Sequence, residues 1–432
     1  MENHNFENQG TFNREMNSRY LQMLSIGGVI GTGLFLSSGY TIAQAGPFGA
    51  VAAYLFGAVM VYLVMFSLGE LSVAMPVTGS FHTYATKFIS PGTGFMVAWM
   101  YWLCWVVALA SQFVGAAQLM QRWFPSVPIW IFATIFAVIV FGLNTLSVGW
   151  FAKAEDALSS IKVYAIAAFI VLGTLAIFGI LPFEGTNAAP LFNNITSNGL
   201  LPNGLVGFIT VMLSVNYAFS GVEMIGIAAG ETDNPKKAVP QAIKSTIGLL
   251  VIFFVLTIVV LAALLPMSEA GVTEAPFVLV LDKIGFPYAA DIMNFIILTA
   301  ILSASTSGLY ASSRMLWSLA NEGMISKELV KINKHGVPMR GMILSMIGVV
   351  IAWLAIPLAQ IGFRREFLKN HSEDELEYKT PFSPTLPWIT VVLLVISIIG
   401  IGWDPSQRAG LYFGVPFMIG CYIYHYIRFK KW

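Results

Sequence analysis

Charged residues are scarce in this chain of 432 residues. They make up 10% of it, whereas 57% of the residues are hydrophobic and the mean hydropathy is +0.75. Soluble domains carry about 25% charged residues, so the composition excludes an ordinary water-soluble protein and indicates one embedded in a lipid bilayer. The net charge of +1 gives no sign of the basic surface that binds nucleic acid, and we expect no nucleic-acid partner.

Cysteine and histidine are also few. Cys104 and Cys421 both fall within apolar stretches, where we expect free thiols, although the two could pair with each other. The five histidines are scattered without the spacing of a metal site. No nucleophile elbow occurs, and the glycine-rich stretch near the N-terminus does not follow a strand as a nucleotide-binding loop must. We therefore expect no enzymatic activity, no metal and no cofactor.

Apolar runs of membrane-crossing length fill most of the chain. A helix needs about 20 apolar residues to cross a bilayer. Such runs predict spans at 20–44, 47–75, 92–121, 128–148, 155–181, 204–229, 242–265, 288–320, 339–362, 384–402 and 409–428. The sequence thus predicts an all-α polytopic membrane protein of about eleven spans. Residues 1–19 lack a cleavable signal peptide, so we expect the first span to target the chain.

Basic residues indicate the orientation. If residues 1–19 form a cytoplasmic tail, most lysines and arginines lie in inner loops, and the outer loops hold little beyond Arg122 and Lys283. The positive-inside rule therefore favours a cytoplasmic N-terminus and a multi-pass protein of the plasma membrane. The rule fails after 339–362, because a single crossing there would put the charged loop 364–379 outside. That stretch is too short for two crossings, so we expect a chain that is one span short of an even number.

Two predicted spans contain residues that weaken a helix in mid-membrane. The first has glycine at positions 27, 28, 31, 33 and 39, and the sixth combines Gly221 with the carboxylate of Glu223. Backbone groups freed at such breaks are tolerated where they line a cavity, and paired broken helices mark the binding site of inverted-repeat transporters. The spacing predicts a first repeat at 20–181, a second at 204–362 and two last spans with a short tail at 384–432. The alternative is that the small residues only allow close helix packing.

Several motifs resemble one family of transporters. They are GGVIGTGLF from residue 27, SLGEL from residue 67, PVTGSF from residue 76 and GVEMIGIAAGE from residue 221. Over nearly its whole length the chain is similar to bacterial amino acid permeases of the amino acid–polyamine–organocation (APC) superfamily, most closely to the arginine/ornithine and lysine branch. The resemblance implies twelve helices, in a five-plus-five inverted repeat followed by two more. The family pattern joins at 336–340 and again from 352, which implies that most of a ninth-to-tenth span region is missing.

An amino acid brings an ammonium and a carboxylate into a dry site, and each needs partners. Half-helix amides at the first break suit the carboxylate, and freed carbonyls beside both breaks suit the ammonium. The resemblance implies the same assignment. The residues expected to meet the substrate are Val29, Gly31, Thr32, Gly33, Ala218, Phe219, Gly221 and Glu223. Thr32 could instead be an ordinary helix threonine bonded to its own backbone.

Aromatic residues near the breaks are candidate gates that would cover the substrate and exclude water. Tyr217 and Phe219 lie beside the second break and Trp102 lies on the third span, where Trp105 could also line the pocket. The alternative for all four is plain packing or anchoring at the membrane interface.

Lys162 and Glu223 are the expected proton-coupling residues. Lys162 lies roughly 10 Å from the inner end of the fifth span, where burial disfavours the charged form of an amine. The resemblance implies that a lysine in this position carries a proton and takes the place of a sodium ion. The alternative is a snorkelling lysine that reaches the cytoplasmic interface. Glu223, an acid inside the membrane, could also face the substrate or pair with a basic group.

Other polar residues near the predicted spans have open roles. Glu231 ends the sixth span, where it caps the helix or faces water. Ser303 and Ser305 could face Lys162 or serve in packing. The cationic branch of the family implies an acid near Ser111 and Gln112, and none is present. Glu70, Glu155 and Arg314 are near span ends and favour roles in gating or loop anchoring.

The sequence thus predicts a secondary active transporter that takes up a cationic or neutral amino acid with protons by alternating access. An exchanger of the same fold is one alternative, and the shortened second repeat keeps a non-transporting amino acid-binding sensor as another. No ring of charges or filter motif favours a channel.

Overall fold

The computed structural model describes residues 16–145, 148–184, 189–271, 275–325, 361, 364–365, 368–369, 384–385, 387–389, 391–392, 395 and 408–429. The secondary structure of this part is helical, and its only strand pairing is an isolated bridge between Met16 and Thr232. The predicted all-α fold is therefore confirmed. The span predicted at 339–362 and most of that at 384–402 lie outside the described residues, as does the shortening predicted there.

Fourteen α-helices are described. They are α1 Ser18–Val29, α2 Thr32–Phe35, α3 Ser37–Ala74, α4 Ser80–Phe88, α5 Pro91–Met120, α6 Ile129–Asn144, α7 Val148–Ile177, α8 Asn193–Thr196, α9 Gly204–Ala218, α10 Met224–Ala228, α11 Pro235–Leu264, α12 Pro276–Ile284, α13 Ala289–Asn321 and α14 Arg408–Phe429. Proline stands at the start of α5, α11 and α12, where its missing N–H costs no helical hydrogen bond.

The first predicted span is interrupted. Asn17 caps α1 by accepting a hydrogen bond from the Tyr20 amide at 3.0 Å, and the helix ends at Val29. Ile30 is extended, and Gly31 follows with φ −147° and ψ −145°. Helical structure resumes in α2 and in the first part of α3, which bends at Gly46 (φ 77°) before Pro47. The bend separates the first two predicted spans, since the proline ring cannot be accommodated in a straight helix.

The second glycine-bearing span is interrupted as well. Helix α9 ends at Ala218, and Gly221 adopts a φ of 107°, a region that favours glycine. Helix α10 and a 3₁₀ turn, Ala229–Glu231, complete the segment. Both helices predicted to be discontinuous are therefore broken where the glycines lie.

Five described helices are long and apolar enough to cross a membrane. They are Ser37–Ala74, Pro91–Met120, Trp150–Ile177, Pro235–Leu264 and Ala289–Asn321, and two shorter apolar helices are Ile129–Asn144 and Gly204–Ala218. Large apolar side chains cover their outward faces, as at Leu55, Val59, Ile252 and Ile292. Such surfaces suit lipid rather than water.

The broken segments lie inside the bundle. Helix α1 packs against α7, α10, α11 and α13, while α3 packs against both α9 and α11. The short helices α4 and α12, which the sequence did not predict, connect longer helices. α12 ends at Gly285 in the left-handed conformation, φ 78°, as helices often do.

Candidate functional site

The two interrupted segments touch through their glycines. A Cβ on Gly221 would lie 2.7 Å from the carbonyl carbon of Gly28, and one on Gly33 would lie 2.6 Å from the Cα of Ala218. No side chain fits at either contact. The glycines therefore bring the first and second breaks together. Simple packing of continuous helices would not require these close contacts to lie where the helices are interrupted.

A small cavity lies at this meeting point, and we call it the central cavity. It contains about 230 Å³ of space between atoms, with room for about one water molecule in the present arrangement. Its lining residues are Gly28, Val29, Gly31, Thr32, Gly33, Trp105, Gln112, Tyr217, Ser220 and Ala304. Backbone groups freed at the first break and polar side chains from α5 and α9 thus converge on one buried space.

The predicted substrate residues divide between this cavity and its surroundings. Val29, Gly31, Thr32 and Gly33 line it. The remaining predicted residues, Ala218, Phe219, Gly221 and Glu223, are not among the lining residues. Ala218 packs on Gly33, and the Phe219 ring lies 4.8 Å from that of Phe254.

Two of the predicted aromatic residues, Tyr217 and Trp105, line the cavity. The hydroxyl groups of Thr32 and Tyr217 are 3.2 Å apart and share a hydrogen bond that connects the two broken segments. Trp105 is 2% exposed. Its ring packs on Gly308 so closely that position 308 has no room for a side chain. Trp102 lies outside the lining and packs edge-on against Trp99 with ring centroids 5.0 Å apart.

Four lining residues were not predicted as site residues: Gly28, Gln112, Ser220 and Ala304. Ser305 lies 2.8 Å from the side-chain oxygen of Gln112, which is itself buried. Gly28 belongs to the glycine run and Ser220 to the second break, so both carried a sequence signal. Ala304 carried none, because alanine is common on any packed helix face.

Lys162 lies inside the bundle rather than at its surface. Its side chain is fully buried, and its Nζ donates a hydrogen bond of 2.8 Å to the carbonyl oxygen of Gly27 near the end of α1. This geometry differs from that of a snorkelling lysine, whose ammonium group would reach water. The ammonium instead binds one turn before the first break, where carbonyls at a helix C-terminus favour a cation.

Glu155 occupies the same region, two turns before Lys162 on α7. It is 1% exposed, and its Oε2 accepts a hydrogen bond of 2.6 Å from Ser303. Its Oε1 has no hydrogen-bond partner. Among the roles open from the sequence, a loop anchor is wrong for Glu155, since its carboxylate lies between α1, α7 and α13. Ser303 and Ser305 bond Glu155 and Gln112 rather than Lys162.

Glu223 supports the second break. Its Oε2 accepts from the amide of Gly221 at 2.9 Å, and its Oε1 accepts from the hydroxyl of Tyr101 at 3.2 Å. A backbone amide and a phenol hydroxyl therefore donate to this carboxylate and hold it beside the turn.

Buried ion pairs lie at the end of the bundle where α1 begins, which we call the inner end. Arg314 Nε donates to Glu231 Oε1 at 3.0 Å, with both side chains buried. Arg364 pairs with Glu70 through contacts of 2.8 and 3.1 Å. Met16 also hydrogen-bonds through its backbone to Glu231 and Asp233. Glu231 therefore does not face water, and these contacts tie the second broken segment to α13 and to the backbone at Met16.

Comparison with known proteins relates this chain to amino acid permeases. A family model described as Amino acid permease matches residues 20–352 and 346–432. Amino-acid permease RocE of Bacillus subtilis (strain 168) is 46% identical over 456 residues, covering 99% of this chain and 98% of the relative. A putative histidine permease of the same organism is 48% identical, covering 96% and 94%. Lysine-specific permease LysP of Escherichia coli (strain K12) is 36% identical over 468 residues, covering 97% and 95%.

The comparisons also bear on the length of the chain. The alignments with RocE and LysP are longer than the 432 residues of this chain, so these relatives contain residues that have no counterpart here. The two segments matched by the family model meet at 346–352, inside the stretch 339–362. The shortened second repeat stays a prediction.

Proposed function

Because this chain belongs to the amino acid permease family, whose members are membrane transporters rather than enzymes, we propose that it takes up an amino acid together with protons by alternating access. The observation that carries the proposal is the meeting of two interrupted helices at a buried cavity lined by freed backbone groups. Such a meeting provides a small zwitterion with the partners it loses on leaving water.

The proposed substrate site uses the two breaks differently. Amides at Gly31, Thr32 and Gly33, at the start of α2, bind the carboxylate, since helix N-termini favour anions. The carbonyl of Val29, at the end of α1, accepts from the ammonium group. Tyr217, hydrogen-bonded to Thr32, covers the site from the second broken segment.

The architecture we propose is the five-plus-five inverted repeat, with a cytoplasmic N-terminus in the cell membrane. In this orientation the buried pairs Glu231–Arg314 and Glu70–Arg364 close the cytoplasmic side. The central cavity is too small for an amino acid as it stands. Transport therefore requires the helices around the cavity to separate first on one side and then on the other.

Proton coupling is assigned to Lys162. Its hydrogen bond to Gly27 joins α7 to α1, the helix that ends at the substrate site. A charged Lys162 favours this contact, and a neutral one weakens it. Gain and loss of one proton can therefore bias the position of α1 during the cycle.

The substrate class is open between cationic and neutral amino acids. Relatives at 48% and 36% identity are named for histidine and for lysine, respectively. At the cavity wall Gln112 is uncharged, and its amide can accept or donate a hydrogen bond. This side chain suits a polar substrate without requiring a positive charge.

Uptake of a labelled amino acid panel into proteoliposomes, with and without an imposed pH gradient, tests the function. We expect accumulation of at least one amino acid that depends on the gradient. Exchange that requires substrate on both sides and ignores a proton uncoupler would instead identify an exchanger. Binding without uptake would identify a sensor. The absence of both binding and uptake would refute the proposal altogether.

Lys162→Ala should abolish the response of uptake to the pH gradient, because the variant has no amine to carry the proton. Lys153→Ala is the matched control, since Lys153 lies on the same helix with its Nζ over the exposed Trp150 ring. The measurement is initial uptake at several gradients. An unchanged pH response of the Lys162 variant would remove this residue from the coupling mechanism.

A further inference from the structure

Glu155 is a buried carboxylate that the transport cycle above does not use. Glu155 and Lys162 both contact Gly27. A Cβ on that glycine would overlap Glu155 Oε2, and Lys162 Nζ donates to the carbonyl oxygen of the same glycine at 2.8 Å. Seven residues separate the two on α7, which places them on one helix face about two turns apart. The backbone of Gly27 is thus held between an acid and an amine.

Among the buried carboxylates of the described residues, Glu155 has neither an arginine partner nor a donor on each oxygen. Glu223 has a donor on each oxygen. Glu70 and Glu231 are paired with arginines, which balance their charge even though Glu231 Oε2 has no donor of its own. Glu155 accepts one hydrogen bond, from Ser303, and leaves Oε1 buried without a donor. A buried oxygen of this kind is costly as an anion and is a natural place for a proton.

The charge that acts on Glu155 comes from Lys162. Helix α1 contributes backbone at Gly27, α13 contributes the hydroxyls of Ser303 and Ser307, and α7 contributes that of Ser159. In the part of the chain that the structure describes, α11 and α12 add no charged group to its surroundings. Asp156, the next residue, instead faces outward and pairs with Arg19 at 2.9 Å.

We propose that Glu155 is the proton acceptor for Lys162, and that the proton leaves the bundle through it at the inner end of α7. The inference rests on the proposed proton coupling and adds a second residue to it. The Lys162 ammonium transfers one proton to the Glu155 carboxylate, which leaves a neutral amine and a neutral carboxylic acid. Glu155 then releases the proton to water when the inner end opens, and it becomes a carboxylate again.

Glu155→Gln tests this step, because the amide keeps an acceptor for Ser303 but cannot take up the proton. Two readouts are compared in proteoliposomes, with the amino acid that the wild type takes up best: uptake driven by a pH gradient, and counterflow at equal pH. We expect gradient-driven uptake to fall about tenfold or more while counterflow stays within about twofold. The matched control, Asp156→Asn, removes a neighbouring, partly exposed carboxylate and should leave both readouts near the wild-type values.

Equal gradient-driven uptake by Glu155→Gln and the wild type would overturn the proposal. An equal loss of both readouts would also overturn it, since it would indicate a structural role. If the amide variant does not fold, Glu155→Asp decides, because a shorter acid must displace the pH profile of uptake; an unchanged profile counts against the relay. If uptake by the wild type does not respond to the pH gradient, the proposed proton coupling is refuted before any variant is compared.

Discussion

Gly221 is the residue at which a single added methyl group would do most damage to the contact between the two broken segments. Its φ of 107° disfavours any residue with a Cβ, and that atom would lie 2.7 Å from Gly28. We expect Gly221→Ala to lower the free energy of unfolding by roughly 2 kcal/mol or more. Thermal unfolding in detergent measures the loss.

A second glycine provides the control for this substitution. Gly248 lies within α11, and a Cβ there would meet no atom within 4 Å. Gly248→Ala should leave the protein as stable as before or slightly more stable, since alanine favours a helix. Similar losses of unfolding free energy in both variants would mean that the close contact at Gly221 is not the reason why a side chain is unfavourable there.

His82 makes the stability of the protein depend on pH. It lies fully buried on the connecting helix α4, with Nε2 2.8 Å from the hydroxyl of Ser318. Burial lowers the pKa of His82, and the nearby Glu322 partly opposes this effect. The folded-state pKa thus lies below the unfolded value of about 6.5. The stability contributed by neutral His82 is complete above about pH 6.5 and decreases as the pH falls toward the folded-state pKa.

Thermal unfolding from about pH 7 down to about pH 5 checks this sign. The wild type should lose stability on acidification, and His82→Gln, which does not titrate, should lose less. Parallel curves for the two proteins would show that other groups set the acid sensitivity.

Residue types with a strong chemical signature were the ones that the sequence could identify. Lys162 stood out because a lysine inside an apolar span is rare, and the structure places it against the first break. Gln112 and Ala304 line the cavity but look ordinary in sequence. Phe219 shows the reverse case, since a residue beside a break can still turn toward packing partners such as Phe254. Side-chain direction depends on tertiary packing and is not encoded locally.

At the scale of elements, the pair of Glu231 and Arg314 ties the end of the second broken segment to α13. Arg314→Met would leave Glu231 buried without its partner, at a cost of about 3–5 kcal/mol. We expect the double variant with Glu231→Gln to recover a large part of that loss. A thermal double-mutant cycle measures the coupling.

An exposed pair offers the comparison for this cycle. Arg19 and Asp156 also form an ion pair, but Arg19 is largely exposed, and water competes for both charges. Arg19→Met should therefore leave the unfolding temperature almost unchanged. Equal effects at the two sites would argue against a closing role for Glu231 and Arg314.

The long elements were predictable because the bilayer imposes one length and one composition on them. Predicted spans at 92–121 and 288–320 correspond closely to Pro91–Met120 and Ala289–Asn321. The breaks were predictable from glycine. Helices α4 and α12 were not, since a short amphipathic helix between spans depends on the neighbours that cover it.

At the scale of the whole molecule, a bound amino acid would join both halves of the chain at the central cavity. Ligand that binds only the folded form stabilises it by about 2.7 kcal/mol at a concentration 100 times its Kd. The transported amino acid should therefore raise the unfolding temperature in a concentration-dependent way, while an amino acid that is not transported should not. Equal shifts of the unfolding temperature with every amino acid tested would mean that the stabilisation does not report recognition at this site.

The contact between Gly28 and Gly221 has a consequence for biosynthesis. The ribosome makes the first interrupted segment long before the second, so freed amides and carbonyls enter the bilayer while their eventual neighbours do not yet exist. Lipid cannot satisfy them, and they need shelter in the insertion machinery until α9 and α10 arrive. The first interrupted segment therefore depends on partners that are synthesised only when about half of the chain has been made.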